Sequence, residues 1–136
     1  MGSIVFLVIA IVFGLVVLFI LSRLVAHKPK RFNQQYYQKK WLEILARVKT
    51  YDGMILAVID ADNLFDEALK KSNYRGKTMG ERLVAAQRDI TDNDAVWYAH
   101  KLRNRLVHEP SVRLRENEAK NALAGFRRGL KDLGAL

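Results

Sequence analysis

The chain has 136 residues, half of them apolar, and no cysteine, which excludes disulfides and thiolate-bound zinc and leaves room for one soluble domain beside a long apolar segment. Its formal net charge of +9 would suit a nucleic-acid binder, but the excess is local: Arg23 to Lys49 carries eight basic side chains against one acid, Glu43, whereas Thr50 to Leu136 carries fifteen against thirteen. Basicity of the whole is therefore no argument for RNA or DNA; it marks the neighbourhood of the apolar end.

That end comes first. Ile4 to Leu21, IVFLVIAIVFGLVVLFIL, runs eighteen residues without a charge. As a helix it covers about 27 Å, close to the hydrocarbon thickness once Leu24 to Ala26 are added and Arg23 snorkels. A cleaved signal peptide would need a basic start, a shorter core and a small-x-small site; MGS has no side-chain charge, and Leu24 stands where the small residue belongs. A helix apolar on every face would need a larger domain to hide in. Residues 1–26 are therefore expected to form one retained transmembrane helix, touching lipid over residues 4–26. The basic residues behind it put the N-terminus outside and Lys28 onward in the cytoplasm, an inner-membrane topology. Residues 27–35, HKPKRFNQQ, read as a basic juxtamembrane linker whose charges set topology and attract anionic lipid, worth about 1 kcal/mol per basic residue.

From residue 36 to 136 the pattern is helical throughout. Tyr37, Trp41, Ile44, Leu45 and Val48 form a 3.6-residue stripe, Asp52-Gly53 reads as punctuation, and Ile55, Val58, Ile59, Phe65 and Leu69 mark a second helix. NYRGK, residues 73–77, reads as a turn. Thr78 and Glu81 make a capping box that opens a third helix through Met79, Leu83, Ala86 and Ile90. TDND caps a fourth, with Ala95, Ala99, Leu102 and Leu106 inward, and Pro110 ends it. Ala119, Ala122, Leu123, Phe126, Leu130 and Leu133 define the last helix, stopped by Gly134. No segment alternates with period two. The fold class is all-α, an N-terminal span followed by a bundle of about five helices. Trp41 and Trp97 are expected as packing anchors, and Gly125 and Gly129 as a close-packing pair rather than a membrane dimer motif.

Two features resist so plain a reading. Asp62 falls on the apolar stripe of its helix, where an unpaired carboxylate would be costly, so it should pair with a basic group of the fourth helix and could orient a catalytic Arg or His. That fourth helix ends in HKLRNRLVHEP, residues 100–110. His100, Asn104 and His108 stack at i, i+4 and i+8, with Trp97 and Lys101 beside them and Arg103 about 100° away. The two histidines are about 12 Å apart along the axis, too far to share a zinc, and His27 sits at the membrane edge, so no metal site is expected and no cofactor is implied. No serine or cysteine signature accompanies them. Arginine plus histidine with a polar residue between leaves an anion clamp and a proton-transfer group. The face is too polar for a core yet carries an aromatic anchor, which suggests a homodimer interface.

The stretch RNRLVH fits R-[polar]-x3-H and so resembles the R-x4–6-H motif of the HEPN superfamily, with Arg103, Asn104 and His108 at the marked positions. The resemblance covers about residues 37–136 and extends to the all-α setting and the motif's place near a helix end; the wider pattern also looks like small single-span membrane proteins of bacteria with reduced genomes. It implies a HEPN-like domain and, as in active members, metal-independent RNA cleavage by a dimer, with Arg103 and His108 catalytic, Asn104 binding substrate, and Asp62, His100 and Lys101 in support. Some toxin members carry a tyrosine two residues after the histidine; Pro110 stands there in this chain, so modification by a partner enzyme is not implied. A different class of function stays open beside it, a non-catalytic membrane-anchored module that binds a nucleotide or a protein partner through the same residues.

Overall fold

A computed structural model describes residues 1–24 and 31–136, with the side chains of Arg23 and Leu24 left undescribed. His27 to Lys30 of the expected linker and the snorkelling of Arg23 lie outside the described residues. Among those described there are six helices and no strand: α1 (Gly2–Leu24), α2 (Gln34–Ala46), α3 (Tyr51–Lys71), α4 (Met79–Ala86), α5 (Asn93–His108) and α6 (Glu116–Asp132). The protein is all-α, and the five helices after α1 match the expected number. Within α1, Gly2–Ser22 is long and apolar enough to cross a membrane, with a mean hydropathy of 3.6 and none of it buried.

Local chemistry explains most helix ends. Asn33 caps α2 by accepting from the Tyr36 amide, while Phe32 packs edge-on against Tyr37 at 5.2 Å between ring centroids. This is a hydrophobic staple, which fixes how the chain enters the helix. Thr78 caps α4 through the Glu81 amide, but the Glu81 carboxylate reaches back to the Lys77 amide rather than to Thr78 itself. Asp92 caps α5 through Ala95, and Glu109, extended before Pro110, ends it. Gly134, at φ +81°, follows α6.

Three expectations fail locally. Asp52-Gly53 does not separate helices; both lie in the first turn of α3, which Thr50 caps through the Gly53 amide. Only a glycine fits there, because a Cβ would fall 1.8 Å from the Arg47 carbonyl oxygen. The helix through Ile90 stops at Ala86, and Ile90 is buried from the connector that follows, where the Asn93 side-chain Nδ2 donates to the Gln87 and Ile90 carbonyls. Leu45 is 39 % exposed rather than inward.

The core forms around α3, which packs against α2, α4, α5 and α6. Ala57, Val58, Ala61, Phe65, Ala68 and Leu69 are fully buried on it, and Phe65 meets Phe126 of α6 at 6.0 Å. Burying one such ring contributes about 1.5–3 kcal/mol. Tyr37 ties α2 to α3 by donating its hydroxyl to Glu67. Gly125 and Gly129 do serve close packing: a Cβ on Gly125 would lie 2.7 Å from the Ala95 carbonyl oxygen, and one on Gly129 2.8 Å from the Phe65 ring. The small residues let α6 lie directly on α5. That contact, with α3 behind it, fixes the face α5 turns outward.

Candidate anion-binding site on α5

Two side chains of α5, His100 and Arg103, converge on one carboxylate of α3, Asp62. Asp62 is 3 % exposed, deeper than any other acid in the domain. Its Oδ1 lies 2.8 Å from His100 Nδ1 and its Oδ2 3.3 Å from Arg103 Nε. Asn104, one turn after His100, closes the network. Its amide nitrogen lies 3.3 Å from His100 Nε2, and its Oδ1 accepts from Arg103 Nη1 at 3.0 Å. These contacts are all satisfied when His100 carries its proton on Nδ1, donates to Asp62 and accepts from Asn104. A carboxylate on an apolar stripe has thus found the cation and donor it needed on the fourth helix of the bundle.

The network leaves Arg103 half-used. Its Nε is buried and faces Asp62 without the alignment of a hydrogen bond, and among the described residues nothing accepts from Nη2. The side chain keeps 25 % of its surface. It borders a cleft of about 520 Å³ whose opposite wall is the start of α4, with Lys77, Thr78 and Gly80 facing His100, Arg103 and Asn104. The second acid of the cleft, Asp66, is fully engaged: Arg82 grips it through Nε at 2.7 Å and Nη2 at 2.9 Å, and Lys70 adds 2.8 Å. Burial pushes the Asp66 carboxyl up, but hydrogen bonds and charge from Arg82 and Lys70 outweigh it and hold it below its ordinary value. Arg82 also donates to the Gly76 carbonyl, which fastens the approach to α4. With both carboxylates paired, the open charge of the cleft is the ammonium of Lys77 and the outer edge of Arg103, while the N-terminus of α4 beside them is already met by Thr78 and the Glu81 carboxylate. Such a surface attracts an oxyanion.

The other expected site residues lie elsewhere. His108 is exposed at the end of α5, does not border the cleft and has no hydrogen bond or ion pair among the described residues. The neighbouring Glu109 carboxylate faces Arg105 at 3.9 Å. His108 stands five positions after Arg103, about 7.5 Å along the axis and roughly 140° around it, so one copy does not aim both at one point. Lys101 is exposed with its ammonium over the Trp97 ring at 6.0 Å, and Trp97 meets His100 edge-on at 6.2 Å. Asn104 lines the cleft and braces His100 and Arg103 with one bond at each end of its amide, which leaves one N–H and one oxygen lone pair unused by them. Among the described residues no three His, Asp or Glu side chains are grouped as metal ligands would be.

Asp66, Lys77 and Arg82 are the site residues that pattern reading missed. The capping motif located the start of α4 in the chain but carried no sign that it faces α5. Asp66 stands one turn after Asp62, a spacing that could have drawn attention to a second carboxylate on that side of α3. No protein-family model, curated protein or solved structure matches this chain.

Proposed function

We propose that this chain is a membrane-anchored HEPN-like domain that holds RNA phosphates on α5 and cleaves RNA without a metal, as a dimer. In this reading α1 spans the inner membrane with its N-terminus outside, and the bundle is cytoplasmic, held near the bilayer by the basic linker. The supporting observation is the division of labour between the two histidines of α5. Both ring nitrogens of His100 are occupied, by Asp62 and Asn104, whereas neither nitrogen of His108 has a partner among the described residues. A general base needs a free nitrogen, and His108 is the histidine of α5 that has one.

The chemistry follows from the two groups. His108 takes the proton of a ribose 2′-hydroxyl, the 2′-oxygen attacks the adjacent phosphorus, and the bond to the 5′-oxygen breaks. The departing oxygen takes up a proton from water, leaving a 2′,3′-cyclic phosphate and a 5′-hydroxyl. Arg103, its stem held by Asp62 and Asn104, turns Nη2 toward the phosphate oxygens that gain charge in the transition state. The separation of Arg103 from His108 within one copy is met by pairing Arg103 of one protomer with His108 of a second across a two-fold axis.

One observation favours a second reading. The Asp62–Arg103 pair, braced by Asn104, would also suit a non-catalytic module that only binds a nucleotide or another phosphate compound. Incubating the full chain in detergent micelles with RNA and EDTA separates the two. Cleavage that survives EDTA, falls by about 10²–10⁴ in His108→Ala and is much less affected in His100→Ala supports the ribonuclease. RNA binding without cleavage favours the module.

A further inference from the structure

An apolar concavity of the domain lies away from the α5 cleft. It is a groove of about 530 Å³ between α2 and α6, floored by Trp41, Val48 and Leu123 and edged by Leu42 and Leu45. Leu42 is 66 % exposed and Leu45 39 %, side by side at the groove's mouth. The rim is basic. Arg127 has no ion-pair partner among the described residues, and Lys120 adds an ammonium shared with Glu116 at 2.7 Å. Lys39, one turn before Leu42 and beside it in the adjoining hollow, is likewise unpaired, while Glu43 there is paired with Lys40. An apolar mouth with a basic rim is the pattern of a surface that rests in the boundary between lipid headgroups and acyl chains.

We infer that this face docks on the anionic leaflet of the membrane that holds α1, with Leu42 and Leu45 entering the acyl region and Lys39 and Arg127 meeting lipid phosphates. The inference rests on the reading of α1 as a span. Nine residues separate the end of α1 from the start of α2, a reach of no more than about 36 Å even when fully drawn out. The helix that carries Leu42 and Leu45 is thereby kept close to the bilayer surface. A second copy is the poorer occupant, because a symmetric contact would set the Lys39 and Arg127 rims against their own counterparts, whereas anionic headgroups neutralise them. Docked this way, the domain would be held at a fixed orientation to the bilayer instead of swinging on its tether.

The absence of cysteine allows single-site labelling of the full chain. Leu42→Cys, Val84→Cys on α4 and Val12→Cys within α1 each receive an environment-sensitive fluorophore; all three positions are exposed. The proteins are reconstituted into phosphatidylcholine vesicles with and without phosphatidylglycerol, containing a nitroxide-labelled lipid as quencher. The expected result is strong quenching at positions 12 and 42 and several-fold less at 84. Quenching at 42 should deepen with phosphatidylglycerol and weaken when Lys39→Glu and Arg127→Glu are added. Quenching at 12 with positions 42 and 84 equally exposed to water would overturn the docking and leave the span standing. A label at 42 shielded from aqueous iodide yet untouched by nitroxide lipid would also overturn it, since protein would then be covering the groove. No quenching at 12 would overturn the span and the docking together.

Discussion

Replacing Asp62 by asparagine removes one charge and keeps nearly all of the volume. The carboxylate is 3 % exposed, with His100 at 2.8 Å and Arg103 Nε at 3.3 Å. An asparagine oxygen can still accept from His100, so what is lost is the charge facing the guanidinium. Removing one partner of a buried ion pair costs about 3–5 kcal/mol. Arg103 keeps 25 % of its side-chain surface, so water screens the stranded cation and the expected loss falls to about 1.5–3 kcal/mol. Asp62→Leu strands both partners and should reach about 3–5 kcal/mol. Both tryptophans lie outside α1, so urea unfolding of the full chain in detergent, followed by their fluorescence, reports on the bundle. The asparagine variant should lower the midpoint by about 1–2 M. In an Arg103→Gln background the same change should cost less, with a coupling of about 1–3 kcal/mol. Stability within about 0.5 kcal/mol of the wild type, or strict additivity in the cycle, would refute the idea that α3 holds the α5 guanidinium through this carboxylate.

Gly125→Ala should destabilise the bundle by about 1–3 kcal/mol despite alanine's better helix propensity, because the new methyl would meet the Ala95 carbonyl oxygen at 2.7 Å; a stabilised variant in the same unfolding assay would mean that α5 and α6 are not in this contact. The Asp66 carboxyl is held below its ordinary value of 3.8, so its contribution is complete above that value and is lost as pH falls through the lower, folded one. The stability gap between wild type and Asp66→Asn should therefore be widest near neutrality and close in acid, and a gap independent of pH would contradict the pairing with Arg82 and Lys70. Light scattering of the full chain in micelles, corrected for detergent, should give a dimer at tens of micromolar, about the weak end for functional homodimers; a monomer there would count against a site built from two copies.

Features of the fold that rest on short-range chemistry were legible in the sequence. The Thr78 and Asp92 caps, the stop before Pro110 and the Gly134 terminus each involve residues within a few positions of one another. Asp62 was legible for a different reason: a carboxylate on an apolar stripe is so costly that a cation had to meet it, and α5 was the nearest rich source. The cleft wall was not, because nothing near Thr78 signals that α4 begins opposite Arg103. The Asp66–Arg82 pair spans sixteen positions and breaks no periodicity, so it could not be told from two solvated charges. Asp52-Gly53 misled because glycine was taken as a breaker, when its value here is the missing Cβ beside the Arg47 carbonyl. Leu45 misled because periodicity reports which side of a helix is apolar, while what covers that side depends on the neighbours. Asn104 was legible as polar and central, but its use as a brace between His100 and Arg103 depends on an Asp62 contact made across the bundle.

The central claim, RNA cleavage at a site shared between two copies, is tested most directly by mixing two inactive variants. Arg103→Ala and His108→Ala are co-expressed as full chains with different tags, and the doubly tagged species is purified and incubated with RNA in EDTA. Each variant alone should be inactive. In a mixed dimer with an isologous interface, Arg103 of one copy meets His108 of the other at one of the two sites, so random mixing should restore about a quarter of the wild-type activity and the purified mixed dimer about half. The products should end in 2′,3′-cyclic phosphate, and a 2′-deoxy sugar at the scissile position should block the reaction. A mixed dimer as inactive as its parents, beside an active wild type, would contradict the shared site. Activity that persists in His108→Ala alone or proceeds on DNA would contradict the mechanism itself.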